Sequence, residues 1–432
     1  MTAPAPEFAV KGWCPGALRP MESGDGLIVR VRPFCASLSL AEMRGIADAA
    51  DRYGNGHIDL TRRANLQIRG VSDATLRPLQ DALRELGLLD DRPEAEAVRN
   101  ILVGPLAGLD PSEVLDMRPL AQGLAAMLAA EPEAWSLPGK FAVVLDGGGV
   151  LPLSGERADM RLRAIRVEGA RMIALGIDRA AGAEWLGMAS PGNAVAAVFA
   201  AVRICAGAGA RAKDVSHEAI ARIRSSLSPL GADGLAGAHR TGAAIRRIGA
   251  FDMGDGRAVL GLGIPFGRLE ASQLRALADL LAEHAAEASD IRLSPWRAFY
   301  IPVQGGVVSE RVMLHAGGLG YVVDAADPLM RIEACPGRPA CRSAHADTRA
   351  DAKRIASWMA TGGFSGAAHV SGCAKGCASS APASLMLVGV PGGYRLLRDA
   401  RPRDEGGVLI RAADIPARLD ALTHAKEGTP HG

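Results

Sequence analysis

The chain has 432 residues, of which 48% are hydrophobic and 22% charged, and its formal net charge is +2. This composition excludes an intrinsically disordered chain, and the small net charge argues against a surface for nucleic acid or an anionic membrane. The length exceeds that of one usual hydrophobic core, so we expect more than one domain. Arginine supplies 43 of the 49 basic residues and lysine only six. This bias reflects either codon usage or a partner with many carboxylates, which the guanidinium group binds bidentately.

Two segments of the chain share one order of predicted elements. The first, from Asp25 to Val71, reads as a strand, an amphipathic helix from about Leu40 and a closing strand. The second begins with DGRAVLGLGIPF, and its residues 291–301 align without gaps on residues 58–68, an offset of 233 residues. We interpret the pair as an internal duplication. The alternative is chance similarity of a common strand-helix-strand pattern.

Polar side chains recur at alternate positions in the first copy. Alternate residues of an extended strand share one face, so the closing strand is predicted to carry a polar stripe of four residues: Arg63, Asn65, Gln67 and Arg69. Arg30 and Arg32 alternate in the same way on the preceding strand. We predict that these six residues bind substrate, and a solvated strand face is the alternative. The position that aligns with Arg63 in the second copy is Trp296.

The duplication predicts an α+β fold of four parts. Ferredoxin-like half units at residues 8–90 and 236–310 form one central domain, and an α/β domain follows each, at residues 91–230 and 311–432. Pseudo-two-fold symmetry places a large cleft between the halves. Residues 231–244, GADGLAGAHRTGAA, are the predicted hinge. The first ten residues carry no secretory pattern and no membrane span is visible, so we expect a cytoplasmic protein.

Four of the seven cysteines fall within 43 residues: Cys335, Cys341, Cys373 and Cys377. Five residues separate the first pair and three the second. Structural zinc sites use pairs about two to four residues apart, whereas four thiolates on two loops, one of them wide, suit the larger 4Fe-4S cluster. We therefore predict a 4Fe-4S cluster. Buried thiols without a metal are the alternative, which the scattered Cys14, Cys35 and Cys205 fit.

The segments ACPGRPAC and SGCAKGC, with the duplicated units, resemble the sulfite and nitrite reductase superfamily over nearly the whole chain. The resemblance implies two haemoprotein-like α/β domains and a cluster that lies against a tetrapyrrole, with Cys377 at the position that bridges to siroheme iron in the reductases. It also implies that Arg63 faces the tetrapyrrole. The segment SLPGKFAVV resembles a reductase strand with two alternating lysines, of which this chain has Lys140 but has Ala142 at the second position. The missing proton donor favours a changed reaction.

Within this superfamily the sequence resembles the tetrapyrrole monooxygenases of oxygen-dependent cobalamin biosynthesis, whose substrate, precorrin-3A, is a siroheme-like macrocycle rich in carboxylates. The resemblance implies hydroxylation of a meso-bridge carbon by dioxygen with γ-lactone formation, with Arg63 and Lys140 as catalytic residues that also bind substrate. The electrons would come from an NADH-linked or ferredoxin-type reductase.

The resemblance further implies a mononuclear non-haem iron, for which His345, Asp347 and His369 are candidate ligands. Residues 342–359 read as a helix, however, on which positions two apart do not face each other. Two alternative functions stay open. One is a siroheme-dependent sulfite or nitrite reductase, with siroheme as cofactor. The other is an electron-transfer or metal-scaffold protein without catalysis.

Overall fold

The computed structural model describes residues 13–179, 182–231, 245–285, 290–362 and 364–427, except for the side chains of residues 422–427. The predicted hinge lies outside the described residues from position 232 onwards. The elements of the first half are β1 Met21–Ser23, β2 Gly26–Val31, β3 Ser37–Leu38, α1 Leu40–Tyr53, β4 His57–Leu60, β5 Leu66–Val71, α2 Asp73–Glu85, α3 Pro93–Val98, β6 Ile101–Val103, α4 Arg118–Ala130, β7 Val143–Asp146, β8 Met160–Val167, β9 Ala170–Arg179, β10 Gly182–Ala189, α5 Pro191–Gly207 and α6 His217–Ser225.

The second half repeats the order of the ten strands but has four helices among the described residues instead of six. It comprises β11 Gly249–Gly254, β12 Arg257–Gly263, β13 Arg268–Glu270, α7 Ala271–His284, β14 Ile291–Leu293, β15 Ala298–Gln304, α8 Val307–Gly318, β16 Ile332–Ala334, α9 Thr348–Thr361, β17 Ala368–Ser371, β18 Ala383–Val390, β19 Gly393–Ala400, β20 Val408–Ile410 and α10 Ile415–Glu427.

The two central sheets exchange one strand each. Their orders are β1-β2-β5-β4-β13 and β11-β12-β15-β14-β3. Strand β13 of the second unit pairs with β4, opposite Ile58, and β3 of the first unit pairs with β14, opposite Ile291. Each sheet is therefore complete only with a strand from the other unit, so the two units form one central domain around a shared core.

Helices α1 and α7 pack against each other and complete that domain. Helix α1 begins with a capping box between Ser39 and Glu42, and its buried residues include Met43 and Ile46, on one helical face. Ion pairs join the two helices on the solvent side, Arg44 to Asp279 at 2.8 Å and Arg275 to Asp48 at 2.8 Å. Exposed pairs of this kind contribute little each, so apolar burial holds the helices together.

The expectation of one continuous closing strand over residues 58–70 is wrong. The segment is a hairpin of β4 and β5, because Ala64 adopts a left-handed φ of 52° and the Thr61 hydroxyl accepts from the backbone N–H groups of Arg63 and Asn65. In the second unit Arg297, 233 residues later, has a φ of 56° at the equivalent turn. Arg63 and Asn65 therefore lie in a turn, and only Gln67 and Arg69 lie on a strand.

Each half also carries a five-stranded sheet of the same topology. Strands β6, β7 and β8 are parallel, with β9 and β10 antiparallel, and β16 to β20 repeat this arrangement. The parallel strands bring the loops after β16 and β17 to one edge of the sheet. Those loops carry the four clustered cysteines.

Two further features bear on the sequence analysis. Helix α9 begins at Thr348 and not at residue 342, since the Asp347 side chain caps it by accepting from the N–H of Ala350. Among the described residues, none of the helices combines the length and the apolar character that crossing a membrane requires.

Candidate active site

One cavity of about 440 Å³ contains all four clustered cysteines, and we call it the cluster cavity. Cys335 follows β16 and Cys373 follows β17, and the parallel pairing of Ala334 with Val370 brings the two loops together. The N–H of Gly372 donates to Cys335 Sγ at 3.1 Å. A Cβ atom at Gly372 would lie 2.7 Å from Ala344 Cβ, so only glycine allows this approach.

The four thiols interact with one another in this cavity. Burial raises the pKa of Cys377 to about 11, and the charges of Cys335, Cys373 and Cys341 add to the rise. Burial also raises the pKa of Cys373. The rise favours the protonated thiols of Cys373 and Cys377, although Lys375 opposes it, and coordination to iron would reverse this preference.

In the described part of the chain, no group of three or more His, Cys, Asp and Glu side chains converges closely enough to hold a single metal ion. His345, Asp347 and His369 consequently do not form a ligand set in this structure. Asp347 caps α9, and His369 is 1% exposed on β17. Burial, followed by the charges of Arg297 and Arg62, lowers the pKa of His369 to about 4.

Arg63 lines the cluster cavity from the β4–β5 turn. Its Nη1 donates to the carbonyl oxygen of Arg157 at 2.7 Å. Burial lowers the pKa of Arg63, and the nearby Arg211 lowers it further, whereas Glu156 raises it. The counterpart residue, Trp296, donates from Nε1 to Glu156 Oε1 at 3.0 Å and lies 4.8 Å below the guanidinium of Arg247.

Arg30 and Gln67 face the same cavity from paired positions of β2 and β5. With the Gln67 amide oriented so that its oxygen faces Arg30, that oxygen accepts from Arg30 Nη2 at 2.9 Å. Burial lowers the pKa of Arg30, and the thiol of Cys14, which also lines the cavity, opposes this by a side-chain hydrogen bond.

Three of the other predicted substrate residues, Arg32, Asn65 and Lys140, do not line the cluster cavity. Arg32 is 4% exposed and donates to the backbone carbonyls of Glu96 and Pro15. Asn65 is buried in the hairpin turn, and Lys140 is exposed on the turn before β7. Arg69 reaches the cavity lining, but its guanidinium is 2% exposed and each of its nitrogens bonds to a protein group. Arg32 and Arg69 therefore bind partners inside the protein, because their side chains are buried and do not lie on an open strand face.

Asp59, which the sequence analysis missed, holds three arginines from three parts of the molecule. Arg69 of β5 lies 3.4 Å from it, Arg268 of β13 2.7 Å and Arg349 of α9 2.8 Å. Burial alone would raise the pKa of Asp59, but Arg349, Arg268 and Arg69 outweigh it and hold the pKa well below its usual range. Asp59 is therefore charged, and it ties both central units to the helix that follows the cysteine loop.

Two further cavities adjoin the cluster cavity. One of about 600 Å³ shares Arg62 and Arg297 with it, and another of about 760 Å³ contains Arg157, to which Arg63 donates. Residues of both halves line the cluster cavity and the cavity of about 600 Å³, whereas residues of the first half alone line the cavity of about 760 Å³. Residues that the sequence patterns missed here include Cys14, Arg62, Arg297, Arg349 and Lys375. Of these residues, only Lys375 could have been identified from the sequence, because it lies between Cys373 and Cys377.

Comparisons with known proteins agree with this architecture. The nitrite/sulfite reductase ferredoxin-like half domain matches residues 19–86 and 251–306, one copy in each half. A precorrin-3B synthase from Sinorhizobium sp is 36% identical over 403 residues, which cover 90% of this chain and 82% of the relative. The chain belongs to the precorrin-3B synthase family.

More distant relatives confirm the fold of this precorrin-3B synthase family member. An assimilatory ferredoxin-dependent nitrite reductase from Haloferax mediterranei is 23% identical over 88% of the chain and 71% of its own length. The NirA protein of Mycobacterium tuberculosis superposes with a TM-score of 0.73 at 17% identity, covering 94% of this chain and 82% of NirA. The predicted α+β fold with duplicated units is confirmed.

Proposed function

We propose that this chain catalyses the precorrin-3B synthase reaction, in which dioxygen hydroxylates precorrin-3A at a meso-bridge carbon and a ring acetate closes a γ-lactone. The main support for this proposal is the cluster cavity, in which four thiols lie together with Arg30, Arg63 and Gln67. The chain also belongs to the precorrin-3B synthase family. One oxygen atom enters the macrocycle and the other leaves as water. The balance requires two electrons from a donor, an NADH-linked or ferredoxin-type reductase.

The cluster cavity fits a 4Fe-4S cluster. Cys335 Sγ already accepts a backbone N–H, as cluster sulfurs do, and glycine keeps the loop backbone close. Arg349 lines the cavity, and in the described part of the chain its buried Nε and Nη1 have no hydrogen-bond partner. A bound cluster supplies electrons one at a time. Cys335, Cys341, Cys373 and Cys377 would hold it.

The chain's own residues bind and orient the macrocycle in this proposal. Arg30 and Arg63 present guanidinium groups to an anion in the cavity, and burial strengthens their attraction for carboxylates. Arg63 would also stabilise negative charge that develops on oxygen. Lys140, a proposed proton donor, lies on the exposed turn before β7 and does not line the cluster cavity.

A resident mononuclear iron is not supported by a ligand set among the described residues, so no step is assigned to it. The siroheme reductase alternative is less well supported. Position 142 holds a buried alanine whose N–H donates to Asp159 Oδ2 at 3.0 Å, so the second lysine of the reductases has no counterpart there.

The test is turnover of precorrin-3A by protein reconstituted anaerobically with iron and sulfide, then given a reductant and ¹⁸O-labelled dioxygen. We expect the macrocycle to gain one labelled oxygen atom in the mass spectrum. Siroheme absorption in the isolated protein, together with sulfite or nitrite reduction and no oxygen gain, would establish the reductase alternative instead.

A further inference from the structure

We infer that Arg211 and Arg63 together form a carboxylate-binding subsite, which holds one acidic side arm of the macrocycle. The inference rests on the proposed function and adds Arg211, a residue that no sequence motif or comparison indicated. The subsite lies beside residues 157–159, where Arg63 contacts Arg157 and Arg211 contacts Asp159.

Arg211 is held at the cavity by a buried acid. It follows α5, and its Nε donates to Asp159 Oδ1 at 2.6 Å, where the Asp159 side chain is 1% exposed. The Arg211 side chain remains 30% exposed and lines the cavity. Neither of its Nη atoms has a hydrogen-bond partner among the residues that the structure describes, so the terminal N–H groups are available to a ligand.

Arg63 approaches from the other side. Its Nη1 is fixed by the carbonyl oxygen of Arg157, which belongs to the same cavity as Arg211. Burial is the main cause that lowers the pKa of Arg63; among the charges that act on it, Glu156 raises the pKa and Arg211 lowers it. An anion bound between the two guanidinium groups would offset their mutual repulsion.

The neighbouring carboxylates do not supply this anion. Asp159 already accepts from Arg211 Nε, from the N–H of Ala212 at 3.1 Å and from the N–H of Ala142 at 3.0 Å. Glu156 Oε1 accepts from Trp296 Nε1 at 3.0 Å. Among the described residues, neither acid accepts a hydrogen bond from an Nη atom of Arg63 or Arg211, so these donors suit an external carboxylate.

The location determines the kind of ligand. Arg63 lines the cluster cavity, and Arg211 lines its neighbour. A macrocycle bound beside the thiols would therefore reach Arg211 with its rim and not with its centre. The rim of precorrin-3A carries acetate and propionate arms, which bear the carboxylates that a paired guanidinium site binds.

The experiment uses uroporphyrin III, a stable tetrapyrrole with eight carboxylates, as the probe. Its fluorescence is titrated with the full chain and with the variants Arg63→Gln, Arg211→Gln and the double variant. The exposed Arg203→Gln, which removes a surface pair with Glu133, is the matched control. Loss of one charged hydrogen-bond partner predicts about 10- to 100-fold weaker binding for each single variant.

Because both arginines would hold one carboxylate, we expect the double variant to bind no more than about threefold more weakly than the weaker single variant. Arg203→Gln should bind as the native chain does. Arg211→Lys, which keeps the charge beside Asp159, should fold normally and still bind more weakly because it lacks the fork.

Two results would overturn the inference in different ways. If Arg63→Gln weakens uroporphyrin binding while folded Arg211→Gln and Arg211→Lys do not, the subsite is absent but the proposed function stands. The same conclusion follows if the losses of binding free energy in the two single variants add up in the double variant. If the native chain binds no uroporphyrin at all, both the subsite and the proposed macrocycle site fail.

Discussion

Arg69 Nη2 donates to the backbone carbonyl oxygen of Ala340 at 3.0 Å, which ties the first central unit directly to the loop between Cys335 and Cys341. The same oxygen accepts from Ser23 Oγ at 2.7 Å and from the N–H of Gly24 at 3.1 Å. The cysteine loop is therefore held in place by a different domain. The position of the cysteine loop and the packing of the central domain are coupled through this contact.

Replacing Arg69 should damage both properties. Arg69→Met would leave Asp25 without its buried partner and Asp59 with two of its three arginines, and breaking a buried pair costs about 3–5 kcal/mol. We expect a lower free energy of unfolding in urea and less iron retained per chain. Arg77→Met removes an exposed pair with Asp81 and should change stability by less than about 0.5 kcal/mol. Equal losses of stability and of iron content in the two variants would contradict the structural role of Arg69.

His369 should make the fold sensitive to mild acid. Its pKa is lowered to about 4 in the folded chain, against about 6.5 when unfolded. A lowered histidine pKa means that the neutral form is favoured on folding, so this contribution is complete above pH 6.5 and declines as the pH falls toward 4. The loss amounts to about 3 kcal/mol at most.

Urea unfolding at pH 7.5 and pH 5 measures this contribution. We expect the difference in the free energy of unfolding between pH 7.5 and pH 5 to be smaller in His369→Phe, whose side chain cannot take up a proton. His217→Phe, at the exposed start of α6, should keep the native pH dependence. An unchanged pH dependence in His369→Phe would show that another group is responsible.

Gly372 should not accept a side chain. A Cβ atom there would lie 2.7 Å from Ala344 Cβ and 3.4 Å from Cys335 Sγ, so Gly372→Ala must displace the cysteine loop. We expect reduced iron content after reconstitution. Gly318→Ala, at the end of α8 with no atom within 4 Å of the added Cβ, should retain full iron content. A fully loaded Gly372→Ala protein would show that the loop accommodates the methyl group.

The sequence was sufficient for features that depend on local spacing. The duplicated units could be predicted because Ile58 and Ile291 begin alignable segments, and the structure places Arg63 and Trp296 before equivalent left-handed turns. The prediction of a strand through Arg63 was wrong because the alternation of polar residues does not reveal that the chain reverses at Ala64. Asp59, Arg349 and Arg211 were missed because their partners are remote in sequence: Arg349 meets Asp59 across 290 residues.

Burial was the other property that the sequence could not give. Arg69 and Arg30 occupy similar alternating positions, yet Arg69 is enclosed by Asp25, Asp59 and Ala340 while Arg30 faces the cavity beside Gln67. Which arginine of a strand remains open to a ligand depends on what packs over it. That packing comes from the cysteine loop of another domain.

The seven cysteines should divide into two classes. Cys377→Ser should lose the visible absorption of a reconstituted cluster, because we propose its thiolate as a ligand. Cys205 is fully buried in the first α/β core, outside the cluster cavity, and burial raises its pKa to about 12. Cys205→Ala should therefore keep the cluster spectrum and lose only some stability. Retention of a native spectrum in Cys377→Ser would remove that residue from the ligand set.

Iron and acid-labile sulfide, measured together with zinc on protein purified without oxygen, test the central claim most directly. The proposed site in the cluster cavity predicts about four iron and four sulfide per chain. Stoichiometric zinc, or protein that holds no iron after anaerobic reconstitution, would contradict the assignment of the four thiols.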